Sequence, residues 1–260
     1  MFLPPNIFAR HLKILHESGC SVLPLADALR RLEAGTLPPR SVALTFDDGW
    51  ADFRVNALPL LQNYGYPATV YLTTHHCRFN KPVFSLALRY MVWQSRGKFI
   101  EQHKLPFVQG PIDCRTPENR ATVVDRIWNH VTEQKMDVRE REDLAAEIAS
   151  SIGFDYAALS RDRLLNQMNP EEIAGISRMG VDIQLHSHSH SSPHERSEFI
   201  CDIELNRRII EELTGASARV HFCYPSGIHH PWMLPWLREA GVKSATTCDA
   251  GLSARDGEPH

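Results

Sequence analysis

The sequence predicts an α/β fold built on parallel strands, and three observations carry that reading. Residues 41–74 run strand, helix, strand at the spacing of a βαβ unit. The same alternation resumes after residue 168 and continues to about 247. Apolar residues make up 43% of the 260, enough for a substantial core. Between the two stretches, 75–168 breaks the rhythm.

Taken in order, residues 6–18 place Phe8, Leu12 and Leu15 on one helical stripe that Gly19 stops. Val22 and Leu23 make a short strand-like piece, and a helix over about 26–34 buries Ala26, Leu29 and Leu32 before Gly35. Residues 1–40 thus read as an N-terminal helical extension. Ser41 to Asp48 is an aliphatic and β-branched strand ending in two adjacent carboxylates, and Gly49 supplies the backbone freedom to turn there. Asn56 to Tyr64 is helical with Gly65 as its stop, and Ala68 to Thr73 is a second buried strand. Helices near 84–95, 117–134 and 139–150, with a loop around Gly110-Pro111, are too long a passage for one crossover. They read as a helical insertion, 75–168, within a single domain spanning 1–260.

The regular pattern returns with a start signal: Asn169 as cap, Pro170 at the first helical position and Glu172 at the third. That helix stops at Gly180, and the strand Val181 to Leu185 leads into His186. An amphipathic helix over about 195–213 carries Phe199, Ile203, Ile210 and Leu213, and Gly215 ends it. Val220 to Cys223 is the fourth strand of the series and closes in Tyr224-Pro-Ser-Gly227. Pro231 opens another helix, Gly241 ends it, and Lys243 to Thr247 is the fifth strand.

Composition excludes some partners. Lys+Arg 28 against Asp+Glu 31 gives a formal charge of -3, which favours neither nucleic acid nor an anionic membrane. Apolar runs fall short of the ~20 residues a membrane span requires. The stretch Met1-Phe-Leu-Pro-Pro-Asn6 lacks the basic start and apolar core of a signal peptide. The six cysteines form no Cys-x-x-Cys pair, so free thiols in a reducing, cytoplasmic setting are expected.

The chemistry gathers where strands end, the usual location of sites in parallel α/β folds. Adjacent Asp47 and Asp48 repel each other unless a cation or a shared proton relieves them. His186-Ser-His-Ser-His190 closes another strand, and its outer imidazoles are close enough to reach one ion. With one carboxylate they make a three-ligand site that leaves positions for water and substrate. Zinc suits that donor set, although cobalt, iron or manganese also fit. Bound metal would lower the pKa of its water and polarise a carbonyl, and the remaining aspartate would take the proton. Asp48 is favoured as ligand and Asp47 as base. His188 is weighed as a substrate contact against plain solvent exposure, with His194 just beyond. His75 and His76 read as loop residues. His229 and His230 read the same way but stay candidates for a general acid. Backbone N–H groups of the Tyr224-Pro-Ser-Gly227 turn, Ser226 above all, are candidates to hold an oxyanion.

With those residues in hand, the sequence resembles the polysaccharide deacetylase family (the NodB-like, carbohydrate esterase family 4 domain shared with chitooligosaccharide deacetylases). The family's Thr-Phe-Asp-Asp-Gly motif is intact at Thr45 to Gly49, and its His-Ser/Thr-x-x-His motif is matched at His186 to His190. The resemblance covers about 41–74 and 168–250. It implies Asp47 as catalytic base and Asp48, His186 and His190 as ligands of a divalent metal, zinc first among the candidates. Phe222 to Gly227 is the counterpart of a third motif, which puts Tyr224, Pro225 and Ser226 at the substrate carbonyl. The fold implied is a distorted (β/α) TIM-like barrel, incomplete here because only five strands are read. The arrangement is similar to members encoded for bacterial exopolysaccharide or capsule work. Where the family often has an Arg ahead of the third-motif Pro, this chain has Cys223, and the nearest Arg is Arg219. The family's late motifs, one of which supplies its general acid, are not recognisable after residue 227. The expected function is a metal-dependent hydrolase removing acetyl groups from N-acetylated sugars of a glycan. The alternatives are a glycan-binding pseudoenzyme or assembly subunit of exopolysaccharide synthesis, and a related O-deacetylase or amidohydrolase.

Overall fold

The computed structural model describes residues 3–215 and 219–253. Met1 and Phe2, the start of the stretch inspected above for a leader, lie outside the described residues. The chain divides into two compact units, Met1–Phe79 with Met168–His260, and Asn80–Gln167.

Along the chain, α1 (Pro5–Glu17) and α2 (Leu25–Glu33) match the two N-terminal stripes. Between them β1 (Ser21–Val22) pairs in parallel with β2 (Ser41–Val42). The strand expected over 41–48 is therefore two: β3 (Thr45–Asp48) belongs to a different sheet. An unbroken aliphatic run gives no periodicity change to mark such an exchange of partners. A π-helical turn, Phe53–Ala57, precedes α3 (Leu58–Tyr64), which stops at left-handed Gly65, and β4 (Thr69–Leu72) follows.

The second unit begins with α4 (Phe84–Gln94) and an unexpected antiparallel pair, β5 (Phe99–Ile100) with β6 (Ile112–Asp113). Then come α5 (Pro117–Glu133), α6 (Val138–Ile152) and a short α7 (Tyr156–Arg161), also unexpected. Capping explains where the two long helices start. Thr116 accepts from the Asn119 N–H, and Asp137 with Glu140 forms a reciprocal capping box. This unit has its own core, in which Leu88, Met91, Ile112, Ile127, Val131 and Ile148 are fully buried.

The first unit resumes with α8 (Pro170–Arg178), started by the Asn169–Glu172 capping box that the sequence announces. The chain continues through β7 (Asp182–Leu185), α9 (Arg196–Thr214), β8 (His221–Cys223), α10 (Met233–Glu239) and β9 (Ser244–Thr246). No helix among the described residues is long and apolar enough to cross a membrane.

The five expected strands form one parallel sheet in the order β3-β4-β7-β8-β9. Its two faces differ in kind. Phe46, Val70, Leu72, Ile183, Leu185 and Phe222 turn into the apolar core with Leu61, Ile173, Phe199, Ile203 and Leu237 from the helices. Burying each such side chain contributes about 1.5–3 kcal/mol. The alternate residues are polar and pair across strands. Thr69 donates to Asp182 at 3.1 Å, and Gln184 to the same carboxylate at 2.9 Å. His221 meets Ser244 at 2.7 Å. The Tyr71 hydroxyl lies 3.1 Å from Thr246, reaching from β4 to β9 across two intervening strands. Only a curled sheet brings those side chains together, so the assembly is a half-barrel, the incomplete barrel that the resemblance implies.

Candidate active site

The carboxyl ends of β3 and β7 meet. Asp48 takes a left-handed conformation (φ 66°) and Gly49 follows at φ 76°. A methyl group at residue 49 would stand 2.3 Å from Leu72 Cδ1, so glycine is required both by backbone angle and by space. The turn aims the Asp48 carboxylate at two imidazoles. Its Oδ1 lies 3.2 Å from His186 Nε2 and 3.1 Å from His190 Nε2, while Oδ2 accepts from the Trp50 indole N–H at 2.9 Å.

The protonation state of His186 follows from its other nitrogen. Nδ1 sits 2.8 Å from the Cys223 carbonyl, which can only accept, so Nδ1 carries the hydrogen. In the neutral ring Nε2 then presents a lone pair to Asp48. Asp48 Oδ1 is itself buried with no geometrically sound hydrogen bond. Burial pushes the Asp48 pKa up, but hydrogen bonds and positive charge from His186 and His190 in their protonated forms outweigh it and hold the carboxyl well below the usual carboxylate range. One anionic oxygen and two imidazole nitrogens, all within 4.8 Å of one another, are a donor set that fits a divalent cation.

The ligand-bearing loop is held from α9 by two residues absent from the sequence reading. Asp202 accepts from the His188 N–H at 2.7 Å, the Ser189 N–H at 3.1 Å and the Ser189 hydroxyl at 2.6 Å. Asn206, fully buried, accepts from the His186 N–H at 3.1 Å and donates to the Leu72 carbonyl at 2.9 Å and Thr74 Oγ1 at 3.1 Å. Four residues apart, the two share one helix face. The available signal was a polar pair set among Phe199, Ile203 and Ile210 on the buried stripe.

His188 is not plainly exposed to solvent. It is half-buried, its Nδ1 lies 2.9 Å from Thr74 Oγ1, and its carbonyl accepts from the His75 N–H at 2.9 Å. Burial lowers its pKa, and its two contacts tether the ends of β4 and β7. His194 and His230 gather around Trp232, with ring centroids 5.5 and 5.3 Å from the indole. His229 contacts the Gly227 carbonyl at 3.1 Å and Asp249 at 3.6 Å.

The third segment reaches the centre through Cys223. Its thiol lies within 4.8 Å of the carboxylate of Asp47, which is exposed; burial and the Asp47 charge push the thiol pKa up. Of the three residues expected at the substrate carbonyl, two have no free backbone N–H. The Tyr224 amide donates to the Thr246 carbonyl at 3.1 Å and its ring is buried in the core, and Pro225 has no N–H. Ser226, exposed and left-handed at φ 56°, is the one that remains. Arg219 serves the opposite end of the sheet, where it pairs with Asp182 at 3.5 Å and donates to Thr214 at 2.8 Å.

A family model described as Polysaccharide deacetylase matches residues 34–245. YxkH of Bacillus subtilis (strain 168), which carries the polysaccharide deacetylase name, is 35% identical over 71 residues, 27% of this chain. That match spans 25% of the relative's own length. Among solved structures, the fold is similar to the Streptococcus pyogenes deacetylase PplD in complex with acetate. The TM-score is 0.59 at 15% identity, over 97% of this chain and 76% of that one. It is also similar to IcaB from Ammonifex degensii, with TM-score 0.56 at 16% identity over 95% and 77%. The BpsB deacetylase domain from Bordetella bronchiseptica gives TM-score 0.54 at 17% identity over 93% and 77%.

Proposed function

This chain belongs to the polysaccharide deacetylase family, and from that premise we propose that it is a metal-dependent hydrolase removing acetyl groups from N-acetylated sugars of a glycan. The observation that carries the reading is the convergence of Asp48, His186 and His190, with Asp47 beside them on the same strand end. Asp48 Oδ1 and the two Nε2 atoms would hold the cation, with zinc, cobalt, iron and manganese all compatible with the donor set. Bound there, it would supply Lewis acidity toward a carbonyl oxygen and a lowered pKa for water.

The chain's own residues would do the rest. Asp47, exposed and not among the Asp48–His186–His190 donors, takes the proton from the water that attacks the acetamide carbonyl. The Ser226 amide donates to the carbonyl oxygen as it gains charge. Asp47, protonated by the first step, is then the group that returns a proton to the departing sugar nitrogen. Asp202 and Asn206 fix the imidazoles before substrate arrives.

Acetate release from N-acetylated chito-oligosaccharides, measured with and without chelator, tests the reading. Chelation should abolish release. Asp47→Asn should keep the metal and lose about 10²–10⁴-fold in turnover; His186→Ala should lose both. Equal metal loss in the two variants would reverse the roles given to Asp47 and Asp48. Metal binding with no acetate release would leave a glycan-binding protein.

A further inference from the structure

We propose that Asp47, His186 and Cys223 form a second, sulfur-bearing cation site that overlaps the first and takes soft divalent ions such as cadmium. A carboxylate oxygen, a ring nitrogen and the Cys223 Sγ lie within 4.8 Å of one another, the same spread as the oxygen and nitrogen set beside them. The Cys223 carbonyl also fixes the His186 ring, whose Nδ1 lies 2.8 Å away. Cys223 is only 3% exposed and is held in register with Thr246 by β8–β9 pairing, so its reach is set by the sheet.

Ligand softness separates the two sites. Nitrogen and oxygen donors suit borderline and hard ions, whereas a thiolate selects soft ones. The sites cannot both be filled, because His186 has one nitrogen to give: Nδ1 is engaged with the Cys223 carbonyl. On binding, a sulfur–cadmium bond forms, the thiol proton passes to water, and the Asp47 carboxylate coordinates the ion. No electron is transferred. The site rests on this geometry alone. Its consequence, loss of turnover because Asp47 is captured, rests on the proposed role of Asp47 as base.

Cadmium titration of a variant with Cys20, Cys201 and Cys248 replaced by serine provides the test, since those are the exposed or half-buried thiols. Expected is an ultraviolet thiolate-to-cadmium charge-transfer band that saturates at one ion per chain. Cys223→Ser in that background should abolish the band. Asp47→Asn and His186→Ala should each weaken binding by more than the roughly 10–100-fold that losing an outer-sphere partner costs. A band that survives Cys223→Ser, or that needs neither Asp47 nor His186, would overturn the site. Asp47 is exposed, so its variant keeps the test decisive if Cys223→Ser fails to fold. Cadmium should also inhibit acetate release, with Cys223→Ser at least about tenfold less sensitive. If the band behaves as expected and release is not inhibited, the site stands and the role of Asp47 as base falls.

Discussion

The two compact units obey local rules to different degrees. In the helical unit, 80–167, caps stand where caps belong, apolar stripes face one core, and left-handed backbone occurs at Asn80, Lys135 and Arg163 between elements. In the sheet unit, four non-glycine residues take positive φ at the site itself: Asp48, Ser187, His190 and Ser226. Such conformations cost of order 1–3 kcal/mol each unless the surroundings enforce them. Here Trp50, Asp202 and Asn206 do the enforcing through hydrogen bonds to the turns or their side chains. Among the described residues, converging donors sit on the strained turns of one unit and are absent from the other. One unit is specified by burial and propensity; the other trades some of both for placed charge.

The contrast breaks if the helical unit feeds the proposed metal centre. Ile127→Ala removes a fully buried side chain from its core, and a cost of about 2–5 kcal/mol in unfolding free energy is expected. Cation affinity, measured by calorimetry on the folded variant, should stay at the parent value. A matching fall in affinity would show the units to be energetically coupled. Asn206→Ala sharpens the same contrast from the other side. It removes the acceptor for the His186 amide and the link to Leu72 and Thr74, so affinity should fall about 10–100-fold. An affinity loss under about threefold would mean that the Cys223 carbonyl alone orients His186.

These two variants also mark what the sequence could and could not disclose. Asp47, Asp48, His186 and His190 were legible because each pair is local and closes a strand. Asn206 acts on His186 from 20 residues away and on Leu72 from 134, and no periodicity encodes those meetings. The five parallel strands were legible from β-branched runs and glycine stops. The polar inner face was not, since Tyr71 and Thr246 become partners only once the sheet curls. The β5–β6 pair is two residues long on each side, too short to alternate visibly. A turn written as Tyr-Pro-Ser-Gly does not say which amide the neighbouring strand claims; the Thr246 carbonyl takes that of Tyr224.

The smallest expected effect lies in the helical unit, where charge acts at a rim. Asp113 accepts from Arg115 at 2.9 and 3.0 Å and from the Asn119 side chain at 2.7 Å, tying β6 to the first turn of α5. The Arg115 side chain and amide hold its carboxyl down at about 2, against an ordinary value of 3.8. A carboxyl whose pKa is lower in the folded chain favours folding above its unfolded value, and that favour is lost as acid protonates it. Asp113→Asn should therefore lower the urea midpoint slightly near neutrality, and the gap to the parent should narrow below about pH 4 and close toward about pH 2. No gap near neutrality would assign the role of Asp113 to shape, since asparagine keeps the shape and lacks the charge. Cation affinity should be indifferent to the substitution, because the charge it removes belongs to the unit that carries no ligand.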